Sequence, residues 1–325
     1  MNIHISSRNI GLDLVRVTEA TALAAGRWIG SGNLDAAHRA ATQAMFDALS
    51  TLNINGRIII GEERPVDGKL LLGTGQHVGT GLGPEVDAVV DPIDGTQLLI
   101  KGQSGAISVV AVAPKDTLWS PAPAAYMEKI VVDRNAADVL VPECMDAPAA
   151  WTLALVARVK KKAVHDLTVI ILDRDRNHDL IEEIRATGAS ILLRDQGDAE
   201  GAFLAASPDT GVDLLMGVGG AAQGVIAACA AKSMNGAMLA RLAPQSQAER
   251  DAIREAGLDE RQILTCNEMV MTDEIFLAAT GITDSLLLTA LRFRGMHAET
   301  YSLLIRSETG TRRFIHAEHA ARVGE

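Results

Sequence analysis

The stretch Val89-Val90-Asp91-Pro92-Ile93-Asp94-Gly95-Thr96 decides how the rest of this chain is read. An apolar run leads into Asp91. Pro92 has no N–H to give to a sheet ladder, and Gly95 permits a tight turn. The spacing predicts a strand over 86–90 that stops at Asp91, with Asp91, Asp94 and the Thr96 hydroxyl gathered at its mouth. A second apolar run, Arg57-Ile58-Ile59-Ile60, passes into Gly61-Glu62-Glu63 and predicts another buried strand ending in a carboxylate. Carboxylates from two strand ends can converge on one or two cations. Hard oxygen donors of this kind suit Mg²⁺ or Mn²⁺.

Outward from this point, apolar residues at helical spacing predict helices over 12–29 and 35–52, broken by Gly30-Ser31-Gly32. A β-branched run predicts a strand over 107–112. Beyond about residue 149 the pattern changes. Strands over 167–172, 189–193 and 212–216 alternate with helices over 179–186, 198–206 and 223–234, which implies parallel strands. Two halves are expected: 1–150, an α+β half carrying the carboxylates, and 151–325, an α/β half. Gly217-Val218-Gly219-Gly220 stands between a strand and a helix, where backbone N–H groups can receive an anion.

Composition narrows the chemistry. The 325 residues carry 30 Lys+Arg against 41 Asp+Glu, a formal charge of -11, which argues against a nucleic-acid partner. Aromatic residues are only 3%, so no stacking platform for single strands is expected. No run approaches the roughly 18 to 20 apolar residues of a membrane span. The opening stretch MNIHISSRNIGLD lacks a basic segment followed by an apolar one, so no secretory signal is expected. Cys144, Cys229 and Cys266 are widely spaced and odd in number, consistent with free thiols in a reducing cytoplasm.

Asp91-Pro92-Ile93-Asp94-Gly95-Thr96 resembles the metal motif of the lithium-sensitive sugar- and inositol-phosphatase superfamily. The chain as a whole is similar to one branch, class II fructose-1,6-bisphosphatase. The likeness runs in order through Arg16-Val17-Thr18-Glu19, Ala125-Tyr126-Met127-Glu128-Lys129, Leu172-Asp173-Arg174-Asp175-Arg176, Gly217-Val218-Gly219-Gly220-Ala221 and Ala279-Thr280-Gly281-Ile282-Thr283, and it reaches residues 302–306 and 310–319. The resemblance implies a layered α/β/α/β/α sugar-phosphatase fold. It also implies a metal-dependent phosphoric monoester hydrolase of carbohydrate metabolism, acting in gluconeogenesis on the 1-phosphate of fructose 1,6-bisphosphate, cytoplasmic, and a homodimer or homotetramer. By position it assigns Glu62, Asp91 and Asp94 to the metal, with the Ile93 carbonyl as a further ligand, and Thr96 to the attacking water. Tyr126, Lys129, Arg174, Arg176, Asp198, Gly219 and Gly220 fall on its phosphate and sugar contacts.

The sequence also departs from that family. Its G-D-K-x-x-A-D becomes Gly32-Asn33-Leu34-Asp35-Ala36-Ala37-His38, and its G-G-x-P-E-G becomes Gly219-Gly220-Ala221-Ala222-Gln223-Gly224. His38 and Gln223 therefore stand where the family has carboxylate ligands, and are expected on the rim of the metal site. Its D-G-D becomes Gln196-Gly197-Asp198, and its acidic G-E-G-E-x-D-E becomes Gly61-Glu62-Glu63-Arg64-Pro65-Val66-Asp67. Fewer acids favour Mn²⁺ or another imidazole-tolerant ion over Mg²⁺. Three readings stand: a fructose-1,6-bisphosphatase, a paralogue acting on another sugar or cyclitol phosphate, and a silent binding protein that keeps the fold.

Overall fold

Helix α1 (Ile10–Gly26) opens the part of the chain that a computed structural model describes, residues 10–320. Residues 1–9, which hold most of the opening stretch read for a leader, and 321–325 lie outside the described residues. The architecture is α/β, as the sequence predicts. Helix α1 stops short of residue 29 because the chain turns, with Trp28 N–H donating to the Ala25 carbonyl at 2.9 Å and Gly30 at φ 70°. Helix α2 (Leu34–Ser50) starts at its N-cap Asn33, whose side-chain oxygen accepts from Ala36 N–H at 3.0 Å. Strands β1 (Asn55–Ile60), β2 (His77–Val78) and β3 (Glu85–Asp94), helix α3 (Thr96–Ile100) and strand β4 (Ile107–Pro114) follow. Leu14 and Val17 of α1 and Met45 and Leu49 of α2 are buried in one cluster with Ile58, Ala88, Val90 and Val110 of the sheet.

Strand β3 corrects one expectation. It does not stop at Asp91 but runs through Pro92 to Asp94. Asp91 pairs with Val109 of β4 and Asp94 with Ile107, and the register shifts between them. Three steps on β3 thus face two on β4. An irregularity of this kind accommodates a proline that cannot donate to the ladder.

The chain then builds a second sheet from strands β5 (Tyr126–Val132), β6 (Thr168–Leu172), β7 (Ser190–Arg194), β8 (Leu214–Gly220), β9 (Ala237–Leu242) and β10 (Leu264–Thr265), in the order β10-β9-β5-β8-β6-β7. Its helices are α4 (Ala149–Lys160), α5 (His178–Ala186), α6 (Asp198–Ala206), α7 (Ala221–Ser233), α8 (Gln247–Glu255) and α9 (Cys266–Met269). Strand β6 is parallel to β7 and β8, as alternating strands and helices require. Strands β5 and β10 depart from an all-parallel sheet: β5 lies antiparallel between β8 and β9, and β10 lies antiparallel to β9. Val169, Ile171, Leu214 and Met216 bury one face of this sheet with residues of α4 and α5. The alternate residues Ile170 and Leu215 lie against Gly201 of α6.

Strands β11 (Phe276–Gly281), β12 (Arg292–Arg294), β13 (His297–Arg306) and β14 (Thr311–Ala320) return to the first sheet, where β11 pairs antiparallel with β4. Among the described residues that sheet has eight strands, ordered β12-β13-β11-β4-β3-β1-β2, with β14 on β13. The first compact unit therefore runs to Thr117 and resumes at Glu274, and the second is Leu118–Asp273. The single division expected near residue 150 falls inside the second unit instead, at the start of α4. The physical reason is pairing across long sequence separations: β5 belongs with β8 and β9, and β11 with β4.

Candidate active site

In the first unit the carboxylates leave neighbouring strand ends. Parallel pairing of β1 with β3 sets Ile60 beside Val89, so Glu62 and Asp91 each lie two residues further along adjacent strands. Such strands run about 4.8 Å apart. Gly61 allows this: an added Cβ would lie 2.3 Å from the Leu72 carbonyl oxygen and 2.7 Å from Val90. Asp91 and Asp94 are buried. Gly95, at φ 97°, turns the chain into α3, and the Thr96 hydroxyl at its first residue donates to the Ile93 carbonyl at 3.1 Å. Asp91, Ile93, Asp94 and Thr96 thus share one bend, as the motif implies.

Glu62 stands beside a histidine. His38 Nδ1 lies 3.6 Å from Glu62 Oε2, and the ring is buried on α2. His38 Nε2 is 3.2 Å from the Arg64 carbonyl, which can only accept, so Nε2 carries a proton. Nδ1 also stands 3.4 Å from the Thr42 hydroxyl one helical turn on. The other Glu62 oxygen, Oε1, accepts from Arg64 N–H at 3.0 Å. Arg64 pairs with Asp35, and Arg39 with Asp67 at 3.4 Å. Asp67, at φ 48° on an exposed turn, points its carboxylate to Arg39.

The donor set suits a hard cation: three carboxylates and one carbonyl. It is not gathered into a cage. Among the described residues, no three of His, Cys, Asp and Glu stand together so as to hold a metal ion. The core donors fit such an ion by chemistry, whereas the residues aligned with the rim bring an imidazole and a neutral amide. Gln223 belongs to the second unit, where an added Cβ on Gly220 would come 1.9 Å from its Oε1.

The second unit assembles most of the sugar and phosphate candidates. Antiparallel β5–β8 pairing puts Tyr126 opposite Gly220 and Lys129 opposite Gly217. The Arg176 guanidinium lies over the Tyr126 ring, 4.7 Å from its centre, and its Nε donates to the Val218 carbonyl at 3.1 Å. Lys129 is fully buried and its Nζ donates to Asp198 Oδ2 at 2.5 Å. Gly219 is needed beside them, since an added Cβ would fall 1.9 Å from that Oδ2. Gly220 is the N-cap of α7, as the Gly-rich run predicts. Arg174 lies apart from this group, exposed and donating to the Asp195 carbonyl at 2.6 Å.

Three supporting groups carry no motif of their own. Asn177, buried after β6, accepts from Val218 N–H at 2.8 Å and donates to the Leu172 and Val218 carbonyls. Glu249 on α8 accepts from Ala125 N–H at 2.8 Å and Tyr126 N–H at 3.2 Å, fixing the entry to β5. Arg194 pairs with buried Glu200 at 2.7 Å. A buried polar side chain must find partners, but sequence spacing does not say where they are. The thiols offer no nucleophile. All three are buried, and burial, then the nearby Cys266, pushes Cys229 up to about 12.

The family described as "Bacterial fructose-1,6-bisphosphatase, glpX-encoded" matches residues 8–319. The "Fructose-1,6-bisphosphatase class 2" of Haemophilus influenzae is 38% identical over 326 residues, covering 96% of each chain. The "D-fructose 1,6-bisphosphatase class 2/sedoheptulose 1,7-bisphosphatase" of Synechococcus sp. is 34% identical over 335 residues, covering 95% of each. With its motifs in the family's order and its length matched almost end to end, this chain belongs to the class 2 fructose-1,6-bisphosphatase family.

Proposed function

We propose that this chain hydrolyses a sugar bisphosphate, with fructose 1,6-bisphosphate the first substrate: water and the bisphosphate give fructose 6-phosphate and inorganic phosphate. The observation that carries the reading is the bend at the end of β3, which carries two buried carboxylates and the Ile93 carbonyl to which the Thr96 hydroxyl donates. Glu62, Asp91, Asp94 and the Ile93 carbonyl would hold a divalent cation, Mg²⁺ or Mn²⁺. Such an ion, when bound, offsets the charge on phosphate oxygens and acidifies water. Phosphoryl transfer otherwise needs positioning and electrostatics. Thr96 would orient the attacking water. Arg174 and Arg176 suit phosphate oxygens because a guanidinium donates in pairs, and the N–H groups at Gly219 and Gly220 add to them. Tyr126 and Asp198, the latter steadied by Lys129, would contact the sugar. A cytoplasmic homodimer or homotetramer completes the reading, as does the absence of a nucleic-acid or membrane partner.

A second reading, a binding protein without turnover, is favoured by one observation: His38 stands against Glu62. Phosphate release measured with Mg²⁺, Mn²⁺ or Zn²⁺ on fructose 1,6-bisphosphate, sedoheptulose 1,7-bisphosphate and cyclitol phosphates separates the two. Release that falls roughly 10²-fold in Thr96→Ala, with an unchanged melting midpoint, supports the hydrolase. No release with any metal, together with calorimetric binding of a bisphosphate, supports the second reading.

A further inference from the structure

Strand β14 closes one side of the eight-stranded sheet. Among the described residues it pairs with β13 alone, continuously from Thr311 opposite Arg306 to Ala320 opposite His297. Among the described residues, its other edge therefore carries no ladder. Ten residues long, it contains no Pro or bulge, two of the devices that blunt such an edge. Residues 312, 314, 316, 318 and 320 share the face that is exposed throughout. Phe314 is 66% exposed, and His316 stacks on Tyr301 with ring centres 4.6 Å apart.

We propose that β14 is the contact between two copies of this chain, pairing antiparallel with itself so that the two sheets become one. This rests on reading the chain as a homo-oligomer, and goes further by naming the strand and its register. A two-fold axis perpendicular to a sheet keeps each face on its own side, so even-numbered residues must meet even-numbered ones. Centring the axis on Ile315 sets Arg312 opposite Glu318 and Phe314 opposite His316, each twice, with Ile315 opposite itself. Cross-strand pairs of opposite charge and of aromatic rings are the ones that stabilise sheets. Centring on Phe314 sets Arg312 against His316. Centring on His316 sets Phe314 against Glu318. Only the Ile315 register matches both charges, and the isologous contact closes at two copies.

Sedimentation equilibrium of the full chain, with Arg312→Glu, Glu318→Arg and their equimolar mixture, tests this. Wild type is expected as a dimer or a multiple of it. Each single variant places like charges opposite each other twice and should weaken the contact at least about tenfold, halving the mass at micromolar concentration. The mixture restores attraction at both positions, since one partner then has two Glu and the other two Arg, and should regain the wild-type mass. Far-UV circular dichroism and unchanged melting midpoints establish that both variants fold. A monomeric wild type overturns the homo-oligomer reading and the interface with it. An oligomeric wild type whose mass neither substitution changes overturns only the interface. Dissociated variants that do not reassociate on mixing overturn the register and the proposal built on it.

Discussion

An alanine methyl at Gly219 would occupy the space of the Asp198 carboxylate, so two side chains and a glycine from distant parts of the sequence are fitted to one another within a few ångströms. Lys129 is fully buried and held by Asp198 at 2.5 Å. Two charges taken from water stabilise a fold little in net terms, but removing one partner leaves the other uncompensated. Lys129→Met is expected to cost about 3–5 kcal/mol in urea unfolding. Adding Asp198→Leu should recover much of that loss, because both charges then disappear together. A single-variant cost below about 1 kcal/mol would show that Asp198 is compensated elsewhere. The pair also bears on binding: Lys129 steadies Asp198 rather than presenting its own charge to solvent. Sequence placed both residues among the sugar contacts, yet could not reveal that they neutralise one another.

At the scale of single elements, most boundaries were legible because periodicity and punctuation agree. Helix α6 occupies the residues its pattern predicts, and Gly188 follows α5 at φ 81°. Two features were not legible. Pro92 reads as the end of a strand, but a bulge carries β3 past it to Asp94. Strands β5 and β11 join partners far away in sequence, and pairing of that kind leaves no local signal. Helix α2 shows the same limit at its first turn. Asn33 reads as a lost acid, and in the fold it is the N-cap, accepting from Ala36 N–H at 3.0 Å. Asn33→Ala should cost about 1 kcal/mol in thermal or urea unfolding, and Asn33→Asp should cost almost nothing, since Asp caps equally well. Equal losses in both variants would remove the capping role.

For the molecule as a whole, the first unit is tied together by a polar network between the beginning and the end of the described chain. Thr280 on β11 donates to Thr18 on α1 at 2.7 Å and lies 2.8 Å from the Ser302 hydroxyl on β13. Thr300 on β13 donates to Glu19 on α1 at 3.3 Å and stands 2.7 Å from His319 Nε2 on β14. Burial raises the Glu19 carboxyl above the ordinary 4.5, with His319 and the Thr300 hydroxyl opposing the shift. A carboxyl whose folded value is raised stabilises the fold fully below 4.5, where it is neutral in both states. That contribution is lost as pH rises through the folded value, because the unfolded chain then releases the proton more readily. Glu19→Gln keeps an acceptor for Thr300 and has no proton to lose. Its melting midpoint should match wild type near pH 4 and exceed it at pH 8, with the gap opening above 4.5. A gap that is constant with pH would mean that folding leaves this carboxyl's proton affinity unchanged, and one that closes as pH rises would mean that the charged carboxylate, held by His319, is the form the fold prefers.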